Sequence, residues 1–132
     1  VTVFVDTSAF LALLDVHEQN HANAQRIWLQ LVEQRTQMFC TNYVVSETVA
    51  LVQNRLGMNQ LRAFHENVFP FLNLIWVDET LHDAGMTAVL TANRRQLSLV
   101  DCVSFAVMHQ SILDSVFAFD NHFTEQGFNV LE

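Results

Sequence analysis

The stretch VFVDTSAF, residues 3–10, decides the fold. Val3, Phe4 and Val5 form a continuous apolar run, which reads as a strand buried on both faces. Asp6 follows at once, and Ser8 to Leu14 reads as a short helix. An ionised carboxylate at the end of a buried strand is costly unless something compensates it. Asp6 can cap the next helix by accepting backbone N–H bonds, or it can help to hold a cation.

The alternation of strand and helix continues along the chain. Val1 to Val5 is the first predicted strand, and His21 to Gln34 is a helix with Ala24, Ile27, Trp28 and Leu31 at helical spacing. Gln37 to Cys40 is a strand, and Val44, Val45, Thr48, Leu51 and Val52 mark a helix running to about Leu56. Met58 to Phe69 predicts another helix, broken near Pro70. A strand is expected over Leu72 to Val77, helices over Asp78 to Ala92 and Leu99 to His109, and strands over Val116 to Phe119 and Phe128 to Leu131. One Pro and three Gly leave no room for a flexible linker, so residues 1–132 read as a single domain. Strands separated by helices predict an α/β fold, a mostly parallel sheet covered on both faces. Ligands of such sheets bind at the carboxyl ends of the strands. Asp6 and Asp120, after Val116 to Phe119, fall there.

Composition limits what this rim can do. The residues are 51% hydrophobic and 15% charged, which supports a packed core and excludes a disordered chain. The net charge is −8 and there is no lysine, so positive side chains are the arginines and any protonated histidine. Gripping nucleic acid by bulk electrostatics needs a basic face, and none is evident. Any nucleic-acid contact would be local, metal-assisted or helped by a second copy or a partner. Cys40 and Cys102 sit in apolar stretches outside any CxxC pair, which predicts buried free thiols and a reducing, cytoplasmic setting. No signal peptide is evident, and no apolar run reaches the ~18 residues of a membrane span.

Four carboxylates occupy unusual places. Asp6 and Asp120 end strands, whereas Glu47 in NYVVSETVALV and Asp101 in LSLVDCVSFAVM project from apolar helices. Each also suits a structural role: strand-end aspartates cap, Glu47 can reach solvent from a stripe edge, and Ser98 with Asp101 has capping-box spacing. Ser104 lies one turn beyond Asp101 on the same face. In a parallel sheet all four can converge on one rim. Clustered carboxylates repel, so some are protonated or a cation binds them. Oxygen ligands select a hard ion, Mg²⁺ or Mn²⁺, and such an ion suits phosphoryl chemistry.

VFVDTSAF, SETVALV, LSLVDCVSFAVM and VFAFDNHFTEQGFNVL, in this order and spacing, resemble the PIN domain, and more narrowly the small PIN toxins of the VapC type. The likeness spans essentially the whole chain. It implies a three-layer α/β/α sandwich with a central parallel sheet, and a Mg²⁺- or Mn²⁺-dependent ribonuclease. It implies that Asp6 and Asp101 are the main metal ligands, that Glu47 and Asp120 orient waters or hold a second ion, and that Thr7, Ser8, Ser104 and Asn121 support them. It further implies a homodimer held inactive by an antitoxin. Arg94 and Arg95, the basic pair before Asp101, are candidates for phosphate contact. The alternative is a non-catalytic PIN-like scaffold.

Other readings fit less well. HEQNH, residues 17–21, matches the zinc-protease pattern, but it falls between two helices with Gln19 and Asn20 in the middle. A phosphorelay receiver needs a lysine that this chain lacks, and a haloacid-type phosphatase wants an Asp where Ser8 stands. His122 reads as a turn residue or a substrate contact. Leu11, Leu13, Leu14, Trp28 and the Phe69–Phe71 region offer an apolar dimer face or antitoxin groove, or simply more core.

Overall fold

A computed structural model describes residues 2–132. The expected strand residue Val1 lies outside the described residues. Strands β1 (Thr2–Val5), β2 (Gln37–Thr41), β3 (Leu72–Ile75), β4 (Ser115–Phe117) and β5 (Asn129–Val130) form one sheet in the order β3-β2-β1-β4-β5. Every pairing is parallel. Helices α1 (Thr7–Leu14), α2 (His21–Glu33), α3 (Asn42–Arg55), α4 (Met58–Ala63), α5 (Glu79–Ala92), α6 (Leu99–Gln110) and α7 (Asn121–Glu125) supply the connections. The α/β sandwich expected from the alternation is the one observed.

The central strand shows why. Val3, Phe4 and Val5 are all buried, although successive side chains point to opposite faces. Both faces are therefore covered. The core joins them to Phe10, Phe64, Met38, Val103, Met108, Val116, Phe117 and Phe123. Phe10 meets Phe64 edge to face at 5.2 Å between ring centroids. Cys40 and Cys102 are buried and free, as expected.

Three expectations need correction. The helix from Met58 does not run unbroken to Phe69: after Ala63 it widens into a π turn, Phe64–Val68, and then tightens into a 3₁₀ turn, Phe69–Phe71, around Pro70. The wider turn accompanies burial of both Phe64 and Val68. Strand β3 stops at Ile75, because the Val77 N–H turns to Asn42 Oδ1 at 2.7 Å instead of joining a ladder. Strand β4 stops at Phe117, and the chain then forms α7, a helix not expected from the sequence. Of the residues read as surplus apolar surface, Trp28 is buried, whereas Phe71 is 49% exposed and packs edge to face on Trp28.

Strand order reverses beside β1: the chain steps outward through β2 and β3, then returns to β4 on the other side. The carboxyl ends of β1 and β4 therefore flank the crevice where open α/β sheets bind ligands.

Candidate active site at the seam between β1 and β4

Asp6 leaves β1 at this crevice. It is 3% exposed and is the N-cap of α1. Both Ser8 N (3.1 Å) and Ser8 Oγ (2.7 Å) donate to Asp6 Oδ2. Ser8 Oγ also accepts the Phe119 N–H at 2.9 Å, while Asp6 N donates to Phe117 O at 3.1 Å. One hydroxyl thus ties the carboxylate to the chain leaving β4. Burial pushes the Asp6 carboxyl up to about 6, with smaller contributions from the charges of Asp101 and Asp120, against the two Ser8 bonds that favour ionisation.

Asp101 arrives on the first turn of α6. It forms a true capping box with Ser98: Asp101 N donates to Ser98 Oγ at 3.1 Å and Ser98 N donates to Asp101 Oδ2 at 3.2 Å. The helix around it is fixed by Cys102, Val103 and Phe105, all buried. On its other side α6 meets α5 at Gly85, where a Cβ would overlap Val103 Cγ2 and lie 3.1 Å from Leu99 Cδ1. Burial raises the Asp101 carboxyl above its ordinary value, and the nearby Asp120 charge adds to this.

Asp120 is the N-cap of α7, its Oδ1 accepting the His122 N–H at 2.9 Å. Helix α7 has only five residues, so its own hydrogen bonds cannot hold it. Phe123 does so: it is fully buried and packs edge to face on Phe105 of α6 at 5.1 Å. That anchor brings His122 back over the rim. Its Nδ1 lies 2.9 Å from Asp120 Oδ1 and 3.7 Å from Asp101 Oδ2. Among the described residues, Asp101, Asp120 and His122 are a group whose ligating atoms all lie within 4.8 Å of one another.

The remaining candidates occupy different places. Thr7 is buried, donates to Val44 O at 3.4 Å and accepts from Thr48 Oγ1 at 3.1 Å, so it fastens α1 to α3. Ser104 is fully buried on α6, and its Oγ has no hydrogen-bond partner among the described residues. Asn121 is exposed at the start of α7. Glu47 is half-buried on α3 and stands outside the group formed by Asp101, Asp120 and His122. Arg94 is ion-paired with Glu125 at 2.7 Å, and Arg95 is exposed. The HEQNH segment makes no zinc site: His17 is exposed, and His21 Nδ1 donates to Ala12 O at 2.8 Å. His122, which the sequence suggests as a turn residue or a substrate contact, is the member outside the four acids. The signal was available in the D-x-H spacing behind a capping Asp, with an aromatic anchor next to it.

A divalent cation suits these residues. Asp6, Asp101 and Asp120 repel one another, and His122 Nδ1 is sealed from solvent without a hydrogen bond despite facing two carboxylates. The donors are oxygens and one imidazole nitrogen, with no thiolate among them.

The chain aligns over 127 residues with the 23S rRNA-specific endonuclease VapC20 of Mycobacterium tuberculosis, at 28% identity, covering 96% of this chain and 95% of that one. The crystal structure of VapC20, described as a Sarcin-Ricin loop cleaving toxin, superposes with a TM-score of 0.83 at 27% identity, over 96% of this chain and 95% of VapC20. FitAcB from Neisseria gonorrhoeae shares the fold, with a TM-score of 0.67 at 16% identity over 98% of this chain and 96% of that one. The PIN domain family matches residues 3–129, and the chain belongs to that family, as the four sequence motifs implied.

Proposed function

We propose that this protein, acting as one domain over residues 1–132, is a metal-dependent endoribonuclease and the toxin of a toxin–antitoxin pair. The reading is supported by Asp101 and Asp120, whose carboxylates gather with His122 beside the crevice where strand order reverses, and by buried Asp6, which feels both of their charges. Family membership and the end-to-end likeness to VapC20 support the same reaction class.

In this reading Asp6, Asp101 and Asp120 hold Mg²⁺ or Mn²⁺, and Glu47 reaches the same rim from α3. The ion would supply a water of lowered pKa and offset charge on the phosphodiester in the transition state. Ser8 fixes the rotamer of Asp6 by holding its Oδ2. The Ser98 capping box fixes the rotamer of Asp101 through Oδ2. Thr7 and Thr48 keep α1 and α3 in register behind them. Ser104 and Asn121 are the remaining polar neighbours. A groove of about 290 Å³ beside Asp120, lined by Asn20, Asn23, Asn121 and Thr124, offers amides and a hydroxyl to base edges. Arg94 and Arg95 are the phosphate contacts, with Arg94 exchanging Glu125 for RNA. The substrate class is a structured ribosomal RNA loop like the one cut by VapC20.

The antitoxin and a second copy of the chain would use exposed apolar side chains such as Trp76 (70% exposed) and Leu90 (71%). No described helix is long and apolar enough to cross a membrane. A cytoplasmic location fits the reading.

The test is cleavage of a synthetic sarcin–ricin loop RNA by the antitoxin-free protein with Mn²⁺, beside an Asp6→Asn/Asp101→Asn variant and an EDTA control. Cutting by the wild type alone supports the proposal. Cutting by the variant at the wild-type rate, or no cutting of any RNA by a folded, Mn²⁺-loaded wild type, overturns it.

A further inference from the structure

We propose that His122 is a direct ligand of the bound cation, through Nδ1, and that this nitrogen makes the site prefer a first-row transition ion such as Mn²⁺ over Mg²⁺. The inference rests on the metal-dependent reading above and extends it to a residue outside the four acids.

The geometry is specific. Two ligands in adjacent positions around a small octahedral cation, each about 2.1 Å from it, sit about 3 Å apart. His122 Nδ1 lies 2.9 Å from Asp120 Oδ1 and 3.7 Å from Asp101 Oδ2. At 2.9 Å an imidazole N–H would ordinarily bond to a carboxylate, yet Nδ1 makes no hydrogen bond and has no solvent contact. With the ring proton on Nε2, a lone pair on Nδ1 would face carboxylate oxygens and repel them. A cation among the three atoms removes that repulsion, and the ring proton then resides on Nε2.

The backbone holds this arrangement. The His122 N–H donates to Asp120 Oδ1, so residue and carboxylate are locked in one turn. The neighbouring Phe123 is fully buried against Phe105, four residues after Asp101 on α6. Any shift of α7 that withdrew His122 from Asp101 would drag Phe123 out of the core. The imidazole is thus presented to Asp101 by packing.

The consequence is ion choice. Carboxylates alone serve Mg²⁺ and Mn²⁺ alike, but Mg²⁺ keeps to oxygen donors and water, whereas imidazole binds later first-row ions more strongly.

The experiment is pulsed electron paramagnetic resonance of Mn²⁺ bound to the metal-free protein, with calorimetric Mn²⁺ and Mg²⁺ titrations. His122→Gln and Asp101→Asn variants and a ¹⁵N-histidine-labelled sample run beside the wild type. The expected result is a directly coordinated nitrogen in the wild type, shifted by the ¹⁵N label and absent in His122→Gln. Mn²⁺ affinity should fall about tenfold in that variant, as metal-site substitutions commonly do, with a smaller change for Mg²⁺. The wild-type spectrum decides even if His122→Gln does not fold. Mn²⁺ bound in an Asp101-dependent manner without nitrogen coupling overturns the His122 assignment and leaves the carboxylate site standing, with His122 only an ion-pair partner. No Mn²⁺ binding by the folded wild type overturns both.

Discussion

Asp6, Asp78 and Asp120 each follow a strand and cap a helix, and the first two have opposite surroundings. Asp78, beyond β3, accepts the Leu81 N–H at 2.9 Å and is exposed. Neither it nor Asp6 belongs to the group formed by Asp101, Asp120 and His122 among the described residues. Asp6, at the end of β1, caps α1 in the same manner but is buried, and feels the charges of Asp101 and Asp120. Capping needs only one carboxylate oxygen and tolerates water. Burial beside two more carboxylates adds nothing to a cap and costs free energy. The contrast is one of burial and neighbouring charge: Asp78 is an exposed cap, and Asp6 is a buried one beside other carboxylates.

The difference extends to whole flanks. Strand β1 is buried through Val5, and α6 buries Cys102, Val103, Ser104, Phe105, Val107 and Met108. By contrast, α5 buries only Gly85 against α6, and Trp76 beyond the edge strand β3 is 70% exposed. The rim with the acids is closely packed, whereas the far edge leaves a large apolar side chain exposed.

The largest expected effect sets Asp6 against Asp78. Asp6→Asn keeps a good N-cap, so the fold stays. Cleavage of loop RNA should fall about a thousandfold, or ~4 kcal/mol in the barrier. Asp78→Asn should cut at the wild-type rate, and equal rates for the two variants would erase the distinction. Next comes the anchor of α7. Phe123→Ala should lower stability by about 4 kcal/mol in urea unfolding, as full truncation of a buried ring does. Trp76→Ala, at the exposed edge, should leave stability within about 0.5 kcal/mol.

A pH series sharpens the same comparison. Unfolded, Asp6 ionises near its ordinary 3.8, whereas folded it holds its proton to about 6. Between these values the folded state binds more protons, so stability of the cation-free protein falls as pH rises through that window. The loss should be about 3 kcal/mol by neutral pH, absent in Asp6→Asn, and reversed by Mn²⁺. Urea midpoints from pH 4 to pH 7 would measure it. A smaller effect is due at the α5–α6 contact. Gly85→Ala forces a methyl against Val103 and should cost about 2 kcal/mol, with Mn²⁺ affinity reduced because α6 carries Asp101. The smallest change is expected for Arg94→Gln, whose pair with Glu125 is exposed: unfolding should not move, and only RNA cleavage at low salt should slow, by a few-fold.

How much of this was legible in the sequence follows from range. Val3 to Val5 announces a buried central strand because its signal is local and continuous, and Asp6 stands out against it. The Ser98–Asp101 box is local too. Helix α7 was not legible, since NHFTE carries no periodicity and the helix exists because Phe123 finds Phe105. The π turn at Phe64–Val68 is hidden for the same reason. Trp76 and Val77 look like strand and are not, because Asn42 takes the Val77 N–H. His122 matters only once α7 places it against Asp101.

Ser8 Oγ gives its one proton to Asp6 and spends a lone pair on the Phe119 amide, so the two sides of the seam share an oxygen. That makes Phe119 a built-in clock. Its amide hydrogen exchanges with solvent only when this shared oxygen lets go, and its exchange rate therefore times the opening of the crevice itself, apart from the unfolding of the sheet.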